Sequence, residues 1–331
     1  MPSFWQSKVF FYIYAPKADH VLRRSWRDDW DNDTRAELQM LAKAYHDKGL
    51  KFGLGLSLFG AGNLPLEELM DDLAKKISAI DLIGADILSI QFDDMKGDLP
   101  GLADAQVNIA HFIAQKSKAT QIILCPTYYS NSPTLDRIFG KRPETYLRDL
   151  GELLDPAIGI FWTGEEVCSV SYPRVHLEEV SAILKRKPFL WDNYPVNDGK
   201  RKSNYLYLLP PDRPRSLLSS ISGLACNPMN QPFLSHIPIR ALAGSLGLRE
   251  SAVASVAEFE SACRALTGEE LSHELIRDAA LFQNSGLANM TAEEKHACEL
   301  VYSRYPDSPY AREVVAWLRG AYVFDENYLL D

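Results

Sequence analysis

Short apolar runs alternate with helix-length amphipathic segments over the first 226 residues, and this alternation restricts the possible folds more than any other feature. Strand-like runs rich in β-branched and aromatic residues are predicted at 10–15, 52–58, within 86–95, and at 121–125, 158–162, 188–191 and 221–226. Amphipathic helices are predicted at 34–48, 66–83, 103–116, 143–154 and 175–185. Strands that alternate with helices in this way are typical of parallel βαβ units.

Seven such units can be counted, apart from a short extended piece at 205–209. They fit either a (β/α)8 barrel or an open doubly wound sheet. The open sheet is expected to carry a Gly-rich phosphate turn after an early strand, and the sequence contains no G-x-G-x-x-G. Polar residues follow strand after strand, as expected where strand ends meet at the mouth of a barrel. We therefore predict an α/β fold, a (β/α)8-type TIM barrel with seven of its eight strands recognisable.

The adjacent carboxylates of Asp93 and Asp94 end the apolar run within 86–95 and are the first candidate site. Two aspartates at the end of a buried strand are costly to bury unless they have partners or a function. This end of a parallel strand is also where active sites lie. Taken alone, the pair fits equally well a helix-capping aspartate beside a solvated one. Both interpretations stay open at this point.

Composition excludes several classes of function. The 331 residues are 46% hydrophobic and 24% charged, and the net charge of −9 argues against a nucleic-acid partner. The sequence shows neither an apolar run long enough for a membrane span nor a signal-like N-terminal segment. Five scattered cysteines without a C-x-x-C suit a reducing compartment, so a cytoplasmic location is the default expectation. The seven histidines show no paired spacing, so no metal and no other cofactor is predicted.

From about residue 248 onward the pattern is helical only, and helix starts are recognisable from their capping residues. The predicted starts are Thr267 with Glu270, Thr291 with Glu294, and Ser308 before Pro309. We therefore predict a TIM-barrel catalytic domain at 1–247 and a small helical bundle as a second domain at 248–331.

Six motifs occur in order between about residues 10 and 240. They are Tyr14-Ala15-Pro16-Lys17, Phe92-Asp93-Asp94, Cys125-Pro126-Thr127, Phe161-Trp162-Thr163-Gly164, the eight residues from Trp191 to Asp198, and Asn227-Pro228-Met229. Together they resemble glycoside hydrolase family 84, the β-N-acetylglucosaminidase group that includes the protein O-GlcNAcases. The eight-residue stretch is the most specific part. The resemblance favours a functional interpretation of the aspartate pair over a capping one.

The resemblance implies a role for each matching residue. Asp93 is expected to hydrogen-bond the substrate's acetamido N–H and orient its carbonyl oxygen, and Asp94 to act as general acid and then general base. The other predicted substrate-binding residues support the acetamido group (Tyr129, Asn193), hold sugar hydroxyls (Asp198, Asn227, with Lys17 beside them) or wall the N-acetyl pocket (Trp191).

Adjacent carboxylates also suit this chemistry by themselves. A retaining glycosidase with a protein nucleophile needs two carboxyls about 5 Å apart across the sugar, and neighbours at one strand end do not easily provide that arrangement. They can serve substrate assistance, in which the 2-acetamido oxygen attacks the anomeric carbon and an oxazoline forms. Repulsion between the two carboxylates separates their pKa values, which helps keep one of them protonated near neutrality.

The chain departs from the family most at its start. Family members begin their barrel with a strand carrying Gly-Phe-Tyr-Gly, whereas the resemblance places residues 1–5 at the end of the first helix. We therefore expect a barrel without its first strand, with unpaired edges unless a rearranged N-terminus or a partner closes the gap. Smaller departures are Ala18 and Leu22, where an acidic residue and a histidine are frequent, and Tyr128, which replaces a frequent glutamate.

These observations predict a retaining enzyme that hydrolyses terminal β-linked N-acetylglucosamine (GlcNAc) on a glycoprotein or glycoconjugate. The alternative is a non-catalytic glycan-binding protein that lost activity with its first strand. The sequence does not specify the aglycone and predicts neither a nucleic-acid nor a membrane partner. The oligomeric state stays open, and a homo-oligomer is among the possibilities.

Overall fold

The computed structural model describes residues 10–61, 64–248 and 255–322 and shows an α/β fold. Seven strands form one sheet in chain order. They are β1 (Phe11–Tyr14), β2 (Lys51–Ser57), β3 (Ile87–Gln91), β4 (Gln121–Cys125), β5 (Gly159–Trp162), β6 (Phe189–Asp192) and β7 (Gly223–Cys226). Neighbours from β1 to β6 pair in parallel. The predicted parallel α/β sheet is confirmed, while the expectation for residues 1–5 falls outside the described residues.

Helices connect these strands and follow the last of them. The helices before β7 are α1 (Asn32–His46), α2 (Leu66–Ile83), α3 (Leu102–Lys116), α4 (Pro133–Phe139), α5 (Tyr146–Leu153) and α6 (Arg174–Leu184). Those after it are α7 (Pro232–Ser245), α8 (Ser255–Thr267), α9 (Glu269–Ala280), α10 (Gly286–Asn289), α11 (Ala292–Tyr302) and α12 (Pro309–Leu318). No element is predicted from the sequence for the region of α4.

The described residues fall into two compact units. The sheet unit contains residues 10–190 and 220–224, and the helical unit contains 191–219 and 225–322. The first change of unit lies within β6 and not at the predicted boundary between residues 247 and 248, which stays a prediction.

The core of the sheet unit lies where strands and helices bury apolar side chains on both faces of the sheet. All five residues of β3 are buried, as expected for a strand covered on both sides. The apolar faces of α2 and α3 pack into the same cluster through residues such as Leu73, Ile80, Ile109 and Ile113. This packing fixes the carboxyl ends of β3 and β4, where the candidate site begins.

The core of the helical unit joins the segment 205–209 to the C-terminal helices. Leu206 and Leu208 are fully buried in one cluster with Phe282 and Trp317. The Trp317 indole Nε1 also donates a hydrogen bond to the Ser203 carbonyl oxygen at 3.1 Å. The chain after β6 therefore shares a core with helices far along the sequence.

Two of the three predicted helix starts are confirmed. Thr291 and Glu294 form a reciprocal capping box at the start of α11, and the Ser308 side chain accepts from the Ala311 N–H at the start of α12. The capping box at Thr267 is wrong, because Thr267 is the last residue of α8 and its hydroxyl donates to the Cys263 carbonyl at 2.8 Å. Gly268, with φ +78°, separates α8 from α9, a backbone angle that glycine adopts without strain.

None of the helices in the described residues combines the length and apolar character that crossing a membrane requires.

Candidate active site

The aspartate pair lies just after β3, and Phe92 is the one residue between the end of the strand and Asp93. Asp94 has φ +57°, in the left-handed region that residues other than glycine rarely adopt. Such a conformation costs about 1–3 kcal/mol and persists only where the surroundings hold it. Strained backbone at a strand end is typical of functional sites, although it does not by itself define one.

Two cations approach the Asp94 carboxylate. The Arg23 guanidinium Nη2 lies 3.4 Å and the Lys17 Nζ 3.9 Å from its Oδ2. Arg23 is buried, whereas the Lys17 side chain is about half exposed. Lys17 was predicted as a site residue, but Arg23 was not. Its signal in the sequence was its place shortly after the predicted residue Lys17.

Asp93 differs from its neighbour because its Oδ1 atom is buried and has no hydrogen-bond partner among the described residues. Burial and the nearby charge of Asp94 raise the pKa of the Asp93 carboxyl from 3.8 to about 7, although Arg23 and Lys17 act in the opposite direction. A carboxyl in this position holds its proton near neutrality. The carboxyl of Asp93 is therefore the member of the pair whose environment favours the protonated form.

Tyr129 lies beyond the end of β4 and shares the electrostatic environment of the pair. Burial first, and then the charges of Asp93 and Asp94, raise the pKa of the Tyr129 hydroxyl well above its usual value of 10. The hydroxyl is therefore neutral and can donate a hydrogen bond at any physiological pH. We call Lys17, Arg23, Asp93, Asp94 and Tyr129 the carboxylate cluster.

Three further predicted residues meet in the helical unit. Asn193 Oδ1 accepts from the Trp191 indole Nε1 at 3.0 Å and from Asn227 Nδ2 at 3.2 Å. We call these residues the amide cluster. Its backbone is fixed nearby, because the Asn227 N–H donates to the Asp192 carbonyl at 2.9 Å. The Asp192 side chain forms a buried, two-pronged ion pair with Arg213, with N–O distances of 2.8 and 3.0 Å.

Asp198 is exposed in the irregular segment that follows Asn193. The residue before it, Asn197, is fully buried and anchors this segment. Its Nδ2 donates to the Tyr205 carbonyl at 2.9 Å and to Gln231 Oε1 at 2.8 Å, and its Oδ1 accepts from the Asn230 N–H at 2.8 Å. The predicted site residues thus form two groups, each within one compact unit, with Asp198 beside the second.

Within the residues that the structure describes, no three His, Cys, Asp or Glu side chains lie close enough together to hold a metal ion. The carboxylate cluster consists of two carboxyl groups, two cationic side chains and a neutral phenol. Such a set can donate and accept protons and can hold a neutral polar ligand.

Comparison with known proteins identifies the family. A family model described as β-N-acetylglucosaminidase matches residues 2–279. The protein O-GlcNAcase of Mus musculus is 29% identical over 242 residues, which are 70% of this chain. The chain spans only 26% of the length of that relative.

Two solved structures are similar to this fold. A mutant of the O-GlcNAc hydrolase of Thermobaculum terrenum has a TM-score of 0.75 and 29% identity, and the match covers 96% of this chain and 76% of that one. CpGH84B has a TM-score of 0.73 and 21% identity over 94% of this chain and 61% of that one, a likeness that shows the fold alone.

Together, the family match and the structural relatives place the chain in the class of glycoside hydrolases. Within that class it belongs to the β-N-acetylglucosaminidase family, glycoside hydrolase family 84, as its motifs predicted.

Proposed function

We propose that this chain is a retaining β-N-acetylglucosaminidase that removes terminal β-linked GlcNAc by substrate-assisted catalysis. The observation that carries the proposal is the asymmetric pair at the end of β3, in which the Oδ1 atom of Asp93 is buried without a hydrogen-bond partner among the described residues and Asp94 faces two cations. Neighbouring acids with different environments suit two different roles on one substrate amide and its leaving group.

In the proposed first step the acetamido carbonyl oxygen attacks the anomeric carbon, and the bond from that carbon to the leaving oxygen breaks. The acetamido N–H donates to Asp93, which favours the ionised form of that carboxyl. The charge left on Asp93 then favours a proton on Asp94, which transfers it to the leaving oxygen.

The first step leaves the protonated oxazoline, an oxazolinium ion whose N–H stays hydrogen-bonded to ionised Asp93, and in the second step its anomeric carbon is attacked by a water molecule. Asp94 accepts its proton, and the bond between the anomeric carbon and the amide oxygen breaks to restore the acetamido group. Two inversions at one carbon give net retention. We assign Tyr129 and Asn193 to the acetamido group and the intermediate, Asp198, Asn227 and Lys17 to sugar hydroxyls, and Trp191 to the wall of the N-acetyl pocket.

The same proposal includes the finer architecture and setting. We infer that the sheet belongs to a (β/α)8-type barrel and that the C-terminal helices form a small bundle. The substrate is a GlcNAc-bearing glycoprotein or glycoconjugate, and protein O-GlcNAc is the candidate suggested by the names of the relatives. Cytoplasmic location stays a prediction from cysteine usage, and self-association stays open.

The Asp94→Asn variant tests the proposal. We expect it to hydrolyse aryl N-acetylglucosaminides with poor leaving groups about 10²- to 10⁴-fold more slowly, because these need the general acid. Substrates with good leaving groups should be affected much less in the first step. The measurement is kcat/KM across a series of leaving groups, with Asp71→Asn, an exposed aspartate on α2, as the control.

Full activity of Asp94→Asn on poor leaving groups would show that the assignment is wrong. A wild-type protein that gains thermal stability from an oxazoline mimic but turns over no substrate would instead support the glycan-binding alternative.

A further inference from the structure

A buried hydrogen-bond network lies at the ends of β3 and β4. The Thr127 hydroxyl donates to the Phe92 carbonyl oxygen at 2.8 Å and accepts from Gln106 Nε2 at 2.9 Å. Gln106 Oε1 accepts from the Tyr146 hydroxyl at 2.5 Å, and that hydroxyl accepts from the Thr127 N–H at 3.0 Å. The bonds between Thr127, Gln106 and Tyr146 form a closed ring, which we call the Thr127 network.

The three side chains are all buried, with exposed fractions of 0% for Thr127 and 1% for Gln106 and Tyr146. None of their polar atoms is among the buried atoms that lack a partner in the described residues. A buried polar network that is fully satisfied is rigid and specifies one arrangement, whereas a partly satisfied one is costly. The side chains come from α3, α5 and the segment after β4, so the network joins three parts of the sheet unit.

The network ends on the peptide that carries the first acid. Phe92 immediately precedes Asp93, and Thr127 lies two residues before Tyr129. The backbone ladder between the strands stops here, because Pro126 has no N–H and the Thr127 N–H is used by Tyr146. The side-chain hydroxyl of Thr127 therefore replaces a backbone donor for the Phe92 carbonyl.

We propose that Thr127, Gln106 and Tyr146 are positioning residues, which hold the Asp93 and Asp94 backbone and the start of the Tyr129 segment in their working geometry. This inference rests on the proposed function. The left-handed backbone of Asp94 needs support from its surroundings, and the network is attached at the Phe92 carbonyl, in the peptide that joins Phe92 to Asp93. These residues do not contact the substrate in this proposal, so they act only through the acids.

The test compares Thr127→Val, which keeps the shape but loses the hydroxyl, with Thr127→Ser, which restores it. Two readouts are measured: the titration of Asp93 by carbon-13 NMR of labelled aspartate, assigned with Asp93→Asn, and kcat and KM on an aryl N-acetylglucosaminide. The titration needs no turnover, so it tests whether the network positions Asp93 even if the proposed function is wrong. Tyr302→Phe is the control, because it removes a buried hydroxyl bonded to Asp278 at 3.1 Å in the helical unit.

We expect Thr127→Val to lower the pKa of Asp93 toward its usual value of 3.8, since a relaxed strand end admits water to the carboxyl. The charged groups that face Asp93 are Asp94, Arg23 and Lys17, and the titratable groups Tyr129 and Cys125 also face it; all are unchanged in this variant. The kcat should fall about a hundredfold with little change in KM, because misplacement of the reacting groups by about 1 Å has this effect. Thr127→Ser and Tyr302→Phe should retain the wild-type titration and kcat.

If Thr127→Val loses thermal stability but keeps the wild-type titration and kcat, the network only stabilises the fold and the inference is wrong. If Thr127→Val does not fold, Tyr146→Phe takes its place, with the same expectations and the same control. If the wild type titrates as expected but turns over no substrate, the proposed function fails while the titrations of the variants still decide the inference.

Discussion

At the scale of single residues, Asp93 is a carboxyl whose pKa the protein raises from 3.8 to about 7. Its carboxyl is desolvated beside a second carboxylate, and its raised pKa follows from that burial. The Asp93 carboxyl ionises freely in the unfolded chain. Folding moves it to a place where its negative charge is disfavoured. This position couples the stability of the protein to pH.

The sign of this coupling can be predicted. Between pH values near 3.8 and about 7, the folded state keeps the Asp93 proton that the unfolded chain has lost. The free energy of unfolding should therefore decrease as pH rises through this window. Asp93→Asn removes the effect, so the Tm of the variant relative to wild type should increase between pH 5 and pH 8.

Differential scanning fluorimetry at both pH values measures this difference. Asp71→Asn, which removes an exposed carboxylate of the same unit, provides the control. A difference between Asp93→Asn and wild type that does not change with pH would contradict the assignment of the buried proton to Asp93.

The residue scale also shows what the sequence could and could not predict. The adjacent acids were recognisable because their position at the end of an apolar run is visible in one stretch of chain. Arg23 was missed as an acid partner because its contact with Asp94 joins residues 71 positions apart. Asn197 was missed because the neighbouring Asp198 matched a family role, whereas burial alone distinguishes the anchor from the exposed residue.

At the scale of elements, the segment after Asp94 packs against the segment after β4. The Gly97 N–H donates to the Phe139 carbonyl at 2.7 Å, and the Tyr128 hydroxyl donates to the Gly140 carbonyl at 2.7 Å. Tyr128, noted as a departure from the family, is fully buried and takes a packing role here. The loop that carries the proposed general acid therefore packs against the Tyr128 ring through Gly97.

Gly97→Ala should disturb this contact. A Cβ at Gly97 would lie 2.6 Å from Tyr128 Cζ, closer than real atoms approach, so the buried ring has to move. We expect a loss of about 1–3 kcal/mol in the free energy of unfolding, as for other overpacked sites. Urea denaturation measures it.

Tyr128→Phe provides the matched background for this test. It removes the hydroxyl that the new methyl group would displace, so the double variant should lose less stability than the sum of the two single variants. Additive losses would show that Gly97 and Tyr128 do not compete for the same space.

Element boundaries were predictable where periodicity and caps agree. The predicted helix at 66–83 and the predicted strand at 121–125 coincide with α2 and β4. Helix α4 was not predicted, because its seven residues are too few to show a clear helical period. The error at Thr267 arose because a capping pattern in sequence does not reveal that the preceding helix extends through it.

At the scale of the whole molecule, the first division between the compact units lies at residues 190–191, well before the change in sequence pattern near residue 248. The short apolar piece at 205–209 carries no strong periodicity, yet it supplies Leu206 and Leu208 to the core of the C-terminal helices. A sequence pattern reports local structure, whereas this contact joins segments about a hundred residues apart. A chain that ended at the predicted boundary, after residue 247, would lack the helices on which these leucines pack.

We therefore expect a chain that ends at residue 247 to lose the ordered structure of residues 191–219. The exposed apolar surface should make this segment susceptible to protease, while the core of the sheet unit persists. Limited proteolysis with mass spectrometry identifies the cut sites. Trp317→Ala, which removes a fully buried side chain, should give a milder form of the same effect, and Leu300→Ala, at an exposed position, should not.

Protection of residues 191–219 in the shortened chain would instead support the helices beyond 247 as an independent domain.

The left-handed backbone at Asp94 also restricts how this site can evolve. Asparagine and glycine tolerate such a conformation best, while β-branched and bulky residues are strongly disfavoured there. Under the proposed mechanism, a descendant that lost the general acid but kept the fold is therefore expected to carry asparagine or glycine at this position. Natural sequences that carry either residue there are candidates for carbohydrate receptors descended from an enzyme.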